Sequence, residues 1–599
     1  MNNTYLSSWY NSPIVRVKAI VIILLGLLAV QASTSMWMKS PTVDEVTFIT
    51  SGYYMLKTGD FSLNSAHSIS LQMLIASPLL GMDLKLPQHT SPFFKTSEYT
   101  DLDNWRYAVE FMDQNNINVE QIVFRVRLIV VLLALILGIY IFKWSNELYG
   151  VKAGLFALFL YVFSPNILAH SRLATLDIGY TALVFIGIYY YSKLIINPEL
   201  KYLLLAGVFL GLIFLAKNTA LSIIFVYGLY FLLAVTGQTQ AWAFLANRTS
   251  KKWGDGAISF LVSLFGVLVI AWFVINLGYG FQGVFKPLSS YTPTLARGLF
   301  STDGPLIGRL IGALPVPLPE SFTEMLKINL RFVEGGLPSY LMGQWSRTGW
   351  WYYHLVAFII KVPVPIFLFL ITTVIMTLRA RHDKGFSTAE YILLIPILSI
   401  FLVVSLVGVK LGLRHILPIL PFLFVFLSRL VTFDFGSRRW LTPLFALLCS
   451  WYLISSVSIY PHYLAYFNEL VGGPDNGHNY LVDSNLDWGQ DLKGLGQYMA
   501  DNDIAKVKLS YFGSADPSFY GIDYEYLPSL GLRPSEPDGK WWYENGYQEV
   551  CEPTSGVIAI STTILQGGLS RNRNCFHWLK SYEPIAKIGY SIFVYEVNP

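Results

Sequence analysis

Apolar residues in this chain gather into long, nearly uninterrupted runs instead of alternating or keeping to one helical face. Eleven runs, near 18–37, 124–143, 151–166, 177–194, 202–216, 218–236, 257–278, 354–378, 389–409, 412–432 and 440–459, approach the roughly 20 residues that a helix needs to cross a hydrocarbon layer. The pattern predicts an all-α polytopic membrane protein with about eleven transmembrane helices. The stretch over 202–236 is interrupted at Lys217, so it reads as a hairpin whose tip reaches an interface.

Three polar segments separate or follow the runs: 38–123, 279–353 and a tail from about 460 to 599. Within the tail, Val507–Phe512 and Val557–Ser561 read as strands, with helical stretches between them and a closing strand near 591–596. The chain thus divides into a transmembrane part, 1–459, and a small α/β C-terminal domain, 460–599. No internal repeat is visible, which weighs against inverted-repeat transporters.

Composition agrees with a lipid solvent. Of the 599 residues 54% are hydrophobic and 13% charged, about half the charged share of a soluble domain. The net charge of +4 is small, and the basic residues sit at the ends of apolar runs, which excludes a nucleic-acid-binding surface. Placing the N-terminus in the cytoplasm puts Arg16, Lys143, Lys201, Arg248, Lys251, Lys252, Arg379, Arg381, Lys384, Arg438 and Arg439 on that side, as positively charged loops prefer. The opposite orientation would leave mainly Arg172, Lys217, Lys410 and Arg414 there. The first run then reads as an uncleaved signal anchor in a cell inner (plasma) membrane, and all three polar segments lie outside. Three cysteines are too few for a zinc pattern; Cys551 and Cys575 both fall in the outer tail, where a disulfide is expected.

The outer face collects the residues with chemistry. Asp44 and Glu45 follow the first run, and Asp177 opens the fourth. Arg127, Lys217, Arg414 and His415 bring cationic or proton-carrying groups to the same face, and ionisable groups at membrane depth are rarely idle. Blander readings stand beside this one: solvated interfacial acids, an acid favoured by a helix dipole, and basic side chains that snorkel. Together, however, the residues suit departure of a lipid phosphate from an anomeric carbon. Cations would stabilise the leaving group while a carboxylate takes the acceptor's proton.

Order and motif give a resemblance. The acid pair at Asp44-Glu45, the Phe124–Leu128 start of the second run, the Leu168–Asp177 stretch and the Gly211–Lys217 stretch stand in sequence as they do in the C-type fold of lipid-dependent glycosyltransferases. Within that fold the chain resembles the protein O-mannosyltransferase and aminoarabinose-transferase relatives. The segments Tyr340–Gly343, Gly349–Tyr353, Lys361–Pro365, Gly412–His415 and Tyr480–Leu492 are similar to an uncharacterised bacterial branch. The resemblance implies a polyprenyl-phosphate-linked sugar donor, a protein, lipid or glycan acceptor, and Asp44 as catalytic base. One stretch departs: Asn64–Leu71 keeps His67 where relatives commonly have Pro-Glu-His-Pro-Pro-Leu, but lacks the glutamate that helps to hold a metal in the aminoarabinose branch. A divalent ion on Asp44, Asp177 and a His stays open beside no metal at all.

The segment Asp483–Asp491 places oxygens at alternate positions, yet the glycine and glutamate of a calcium loop are missing where that loop requires them. Asp483, Asn485, Asp487 and Trp488 also suit sugar hydroxyls and ring faces, or a turn that caps the following helix. Two other functions compete with transfer: a transporter or flippase of a polar lipid, which needs charges along the midplane, and a binding module on a membrane anchor. Acids and cations mapped to the outer third favour the enzyme, and the resemblance implies a mannose-like hexosyltransferase of the inverting kind.

Overall fold

The computed structural model describes residues 13–64, 66–88, 101–116, 119–236, 253–290, 306–384, 388–407, 409–433, 441–527, 551–568, 570 and 572–598. Each of the eleven apolar runs coincides with a helix or a bent helix pair. Among the described residues Val119–Tyr149 is the longest helix at 31 residues, a rise of about 46 Å. Among the described residues, five helices are long and apolar enough to cross a membrane, seven if each of two bent pairs is one span, and further apolar helices are shorter. The bent pairs break at Ser164-Pro165 by 64° and at Pro363 by 105°, where proline cannot donate the backbone bond that would continue the helix. Ile22, Phe265 and Leu398 on these helices are largely exposed, which suits hydrocarbon and not water. The chain is a membrane protein. Of the basic residues used for orientation, Arg248, Lys251, Lys252, Arg438 and Arg439 lie outside the described residues.

The polar segment 38–123 is largely helical: Val43–Thr58, Ile69–Ala76 and Asp101–Gln114 pack into the main core through Ile49, Tyr53, Leu71 and Phe111. Ile69–Gly81 is apolar as well as short, and the hydropathy pattern alone did not distinguish it from the loop around it. The segment after Lys286 carries the hairpin β1 (Ser339–Leu341) and β2 (Gln344–Ser346).

The tail forms a five-stranded sheet of β3 (Val507–Ser510), β4 (Tyr524–Tyr526), β5 (Gly556–Ser561), β6 (Ala586–Ile588) and β7 (Ile592–Val597), in the order β4-β3-β5-β7-β6. β3 runs parallel to β4 and β5, and β7 runs antiparallel to β5 and β6. The Leu492–Asp501 helix covers one face, burying Leu492, Leu495 and Met499 against Leu509, Ala559, Ile592 and Val594. Cys551 and Cys575 are joined, with Cα atoms 4.7 Å apart.

The loop between the first helix and Val43–Thr58 is stitched to the turn that precedes Leu492–Asp501. Ser40 N–H donates to the Gln490 carbonyl at 3.0 Å and Val43 N–H to the Trp488 carbonyl at 2.9 Å. Lys39 pairs with Asp491 and meets His462 Nδ1 at 2.5 Å, and Ser591 donates to Asp491 at 2.7 Å. Gly489 lies at φ +85°, and a Cβ there would stand 2.7 Å from the Phe512 carbonyl, so the turn requires glycine.

Candidate functional site

Adjacent acids on a helix point about 100° apart, and here that angle separates two roles. Glu45 is fully buried. Its Oε1 accepts from Arg127 Nε at 2.7 Å and from Ala174 N–H at 2.6 Å, and its Oε2 from Arg127 Nη2 at 2.7 Å and Thr42 N–H at 2.8 Å. Burial opposes ionisation of this carboxyl, yet Arg127 and the two amides hold it below the usual range. Arg127 spends its remaining N–H groups on the carbonyls of Met36, Lys39 and Ser40 at 2.9 to 3.0 Å. All five guanidinium donors therefore stay within the protein. Asp44 is 19% exposed at its side chain, and its Oδ2 accepts from Arg414 Nη1 at 2.7 Å.

Arg414 sits in the short turn Leu413–His415 that leads into the Ile419–Ser428 helix. Its guanidinium carbon lies 4.4 Å from the centre of the Trp488 ring. A second acid–cation pair stands nearby. Asp177, the first residue of its helix, accepts from Lys217 Nζ at 2.6 Å and from Thr175 Oγ1 at 2.9 Å, with His170 Nδ1 at 3.7 Å. Lys217 occupies the break between Leu200–Phe214 and the next apolar helix, as the interruption in hydropathy suggested.

Four histidines lie at or beside the pairs. His67 stands edge-on to Phe48 at 5.1 Å and feels Asp44, Lys217, Arg414 and Asp177. Burial pulls its pKa down to about 4, so the ring is neutral at pH 7. His415 and His354 face one another at 6.2 Å between ring centres, and His170, which sequence reasoning left without a role, lies between Asp177 and Trp488.

The four tail residues singled out earlier do different things. Asp483 faces Arg414 and Asp44; burial pushes its pKa up to about 6, against the pull of Arg414. Asn485 accepts from Leu413 N–H at 3.0 Å and donates to the Leu411 carbonyl at 3.0 Å and to Tyr353 Oη at 3.2 Å. Asp487 accepts from Thr563 N–H at 2.8 Å, away from the pairs, and burial pushes its pKa up to about 7. Trp488 is the platform under Arg414.

The two carboxylates considered for a divalent ion are each bonded to a cation, so an ion between them would meet Arg414 and Lys217. Among the described residues no three His, Cys, Asp or Glu side chains are grouped to hold a metal. The arrangement instead offers two ion-paired carboxylates, Asp44 partly exposed and Asp177 buried, each with its own cation, a set suited to proton abstraction beside an anionic leaving group.

Known proteins resemble parts of this chain. Residues 119–271 match the family model described as dolichyl-phosphate-mannose-protein mannosyltransferase. No curated protein matches the chain. Among solved structures, ArnT from Cupriavidus metallidurans in the apo state is 12% identical with a TM-score of 0.43, over 97% of this chain and 99% of that one. The same protein bound to undecaprenyl phosphate gives 0.45 at 12% identity and the same coverage. The apo Archaeoglobus fulgidus oligosaccharyltransferase is 14% identical with a TM-score of 0.41, over 95% of this chain and 64% of that one. The family match falls on the segment that carries Arg127, Asp177 and Lys217, and over that segment the chain is similar to the dolichyl-phosphate-mannose-protein mannosyltransferases, a glycosyltransferase family.

Proposed function

We propose that this membrane glycosyltransferase moves a sugar, a mannose-like hexose or a relative of it, from a polyprenyl-phosphate donor to an acceptor hydroxyl at the outer face, with inversion. The observation that carries the reading is the direct contact of Asp44 with Arg414 beside the Asp177–Lys217 pair. Asp44 accepts the proton of the acceptor O–H while that oxygen forms its bond to the anomeric carbon. The anomeric C–O bond to phosphate breaks, its electron pair stays on the phosphate oxygen, and polyprenyl phosphate departs. Arg414 and Lys217 hold the phosphate, with His415 beside Arg414 in the same turn. One displacement at carbon inverts its configuration.

Glu45 and Arg127 we assign to positioning, because each satisfies the other and both are buried. Asp177 holds the Lys217 ammonium in place. The N-terminus is placed in the cytoplasm and the tail outside, on the charge pattern of the loops. Membranes or reconstituted protein supplied with a panel of polyprenyl-phosphate sugars test the reading. Release of polyprenyl phosphate with one of them, coupled to a glycosylated acceptor, supports it; movement of intact donor lipid between leaflets without release would point to a flippase instead.

A further inference from the structure

The turn Asp483–Trp488 of the outer tail touches the chain next to both members of the Asp44–Arg414 pair. The Trp488 carbonyl accepts from Val43 N–H at 2.9 Å, one residue before Asp44. Asn485 accepts from Leu413 N–H at 3.0 Å, one residue before Arg414. The approach is close: a Cβ on Gly412 would stand 2.8 Å from Ser484 Oγ. The Trp488 ring, 1% exposed, lies against the Arg414 guanidinium at 4.4 Å. A guanidinium donates only in its own plane, so a ring over its face leaves the edge for acceptors. Asp44 takes Nη1 on that edge, and Nε, buried, has no hydrogen-bond partner among the described residues.

We propose that Trp488 is a positioning residue for donor binding: it fixes the plane of Arg414 so that the edge which meets Asp44 also presents N–H groups to the lipid phosphate. The inference rests on the assignment of the phosphate to Arg414 made above. It makes the tail a working part of the site, since a residue after the last span sets the geometry of a cation carried by the transmembrane part.

The test is a double-mutant cycle on the full chain in lipid nanodiscs, with polyprenyl phosphate without sugar as the probe. Trp488→Leu should weaken binding about 2- to 30-fold, the range of a partly to fully desolvated cation–π contact. Trp488→Phe should recover most of the loss. In an Arg414→Ala background, Trp488→Leu should cost nothing further, because the group it positions is gone. Equal losses in both backgrounds would overturn the proposal and leave Trp488 a structural residue or a direct contact. If Arg414→Ala alone left binding unchanged, the phosphate assignment would fall and this inference with it. Should the Leu variant not fold, the same cycle with Trp488→Met, which keeps bulk without a ring, decides the matter.

Discussion

Asp44 Oδ2 and Arg414 Nη1 lie 2.7 Å apart although 370 residues separate them. The contact joins the segment after the first helix to the turn before a late helix, and it pairs the proposed base with the proposed phosphate cation. A phosphate charge is present in both ground and transition states, so Arg414→Ala should weaken donor binding as well as turnover. Donor titrations with transfer rates check this; a fall in rate alone would limit Arg414 to the transition state.

The Glu45–Arg127 pair predicts a stability effect. Removing one partner of a buried pair leaves the other charge uncompensated, at a cost of roughly 3–5 kcal/mol. Glu45→Ala and Arg127→Ala should each lower the unfolding midpoint of purified protein strongly, and the double variant should lose less than the sum of the two. Additive losses would show that the two side chains do not act as a unit.

Asp487 predicts a pH dependence. Burial raises its pKa to about 7, so its protonated form is favoured by the fold. Stability from this group is complete below its unfolded value near 4 and is lost as pH rises through about 7. Relative to wild type, Asp487→Asn should therefore gain stability as pH goes from 4 to 8, read as the difference in unfolding midpoint. A difference that does not change with pH would mean that Asp487 keeps an ordinary pKa.

Topology is tested with single cysteines at Asn476 and Asp501, both within the tail. An impermeant thiol reagent should label them from outside intact cells. Labelling only after the cytoplasmic side is opened would reverse the orientation drawn from the basic loops.

Hydropathy located the helices well, because a run of apolar residues answers directly to a lipid solvent; all eleven runs became helices or bent pairs. It could not separate true crossings from short helices such as Ile69–Gly81, whose placement depends on packing against Gly52 and its neighbours. Motif order brought out Asp44, Asp177, Lys217 and Arg414. What linear reading could not tell was which acid of the Asp44-Glu45 pair is spent internally, because Arg127 comes from 82 residues away. For the same reason His170 beside Asp177, the stacking of Trp488 on Arg414 and the Lys39–Asp491 pair had no signal of their own.

The most direct test of the account is transfer by Asp44→Asn in a reconstituted assay with a productive donor. Asparagine keeps size and polarity but cannot take the acceptor's proton, so turnover should fall by roughly 10²–10⁴-fold while donor lipid still binds. Near-normal transfer by Asp44→Asn, with transfer abolished by Asp177→Asn, would contradict the account and move the base to Asp177.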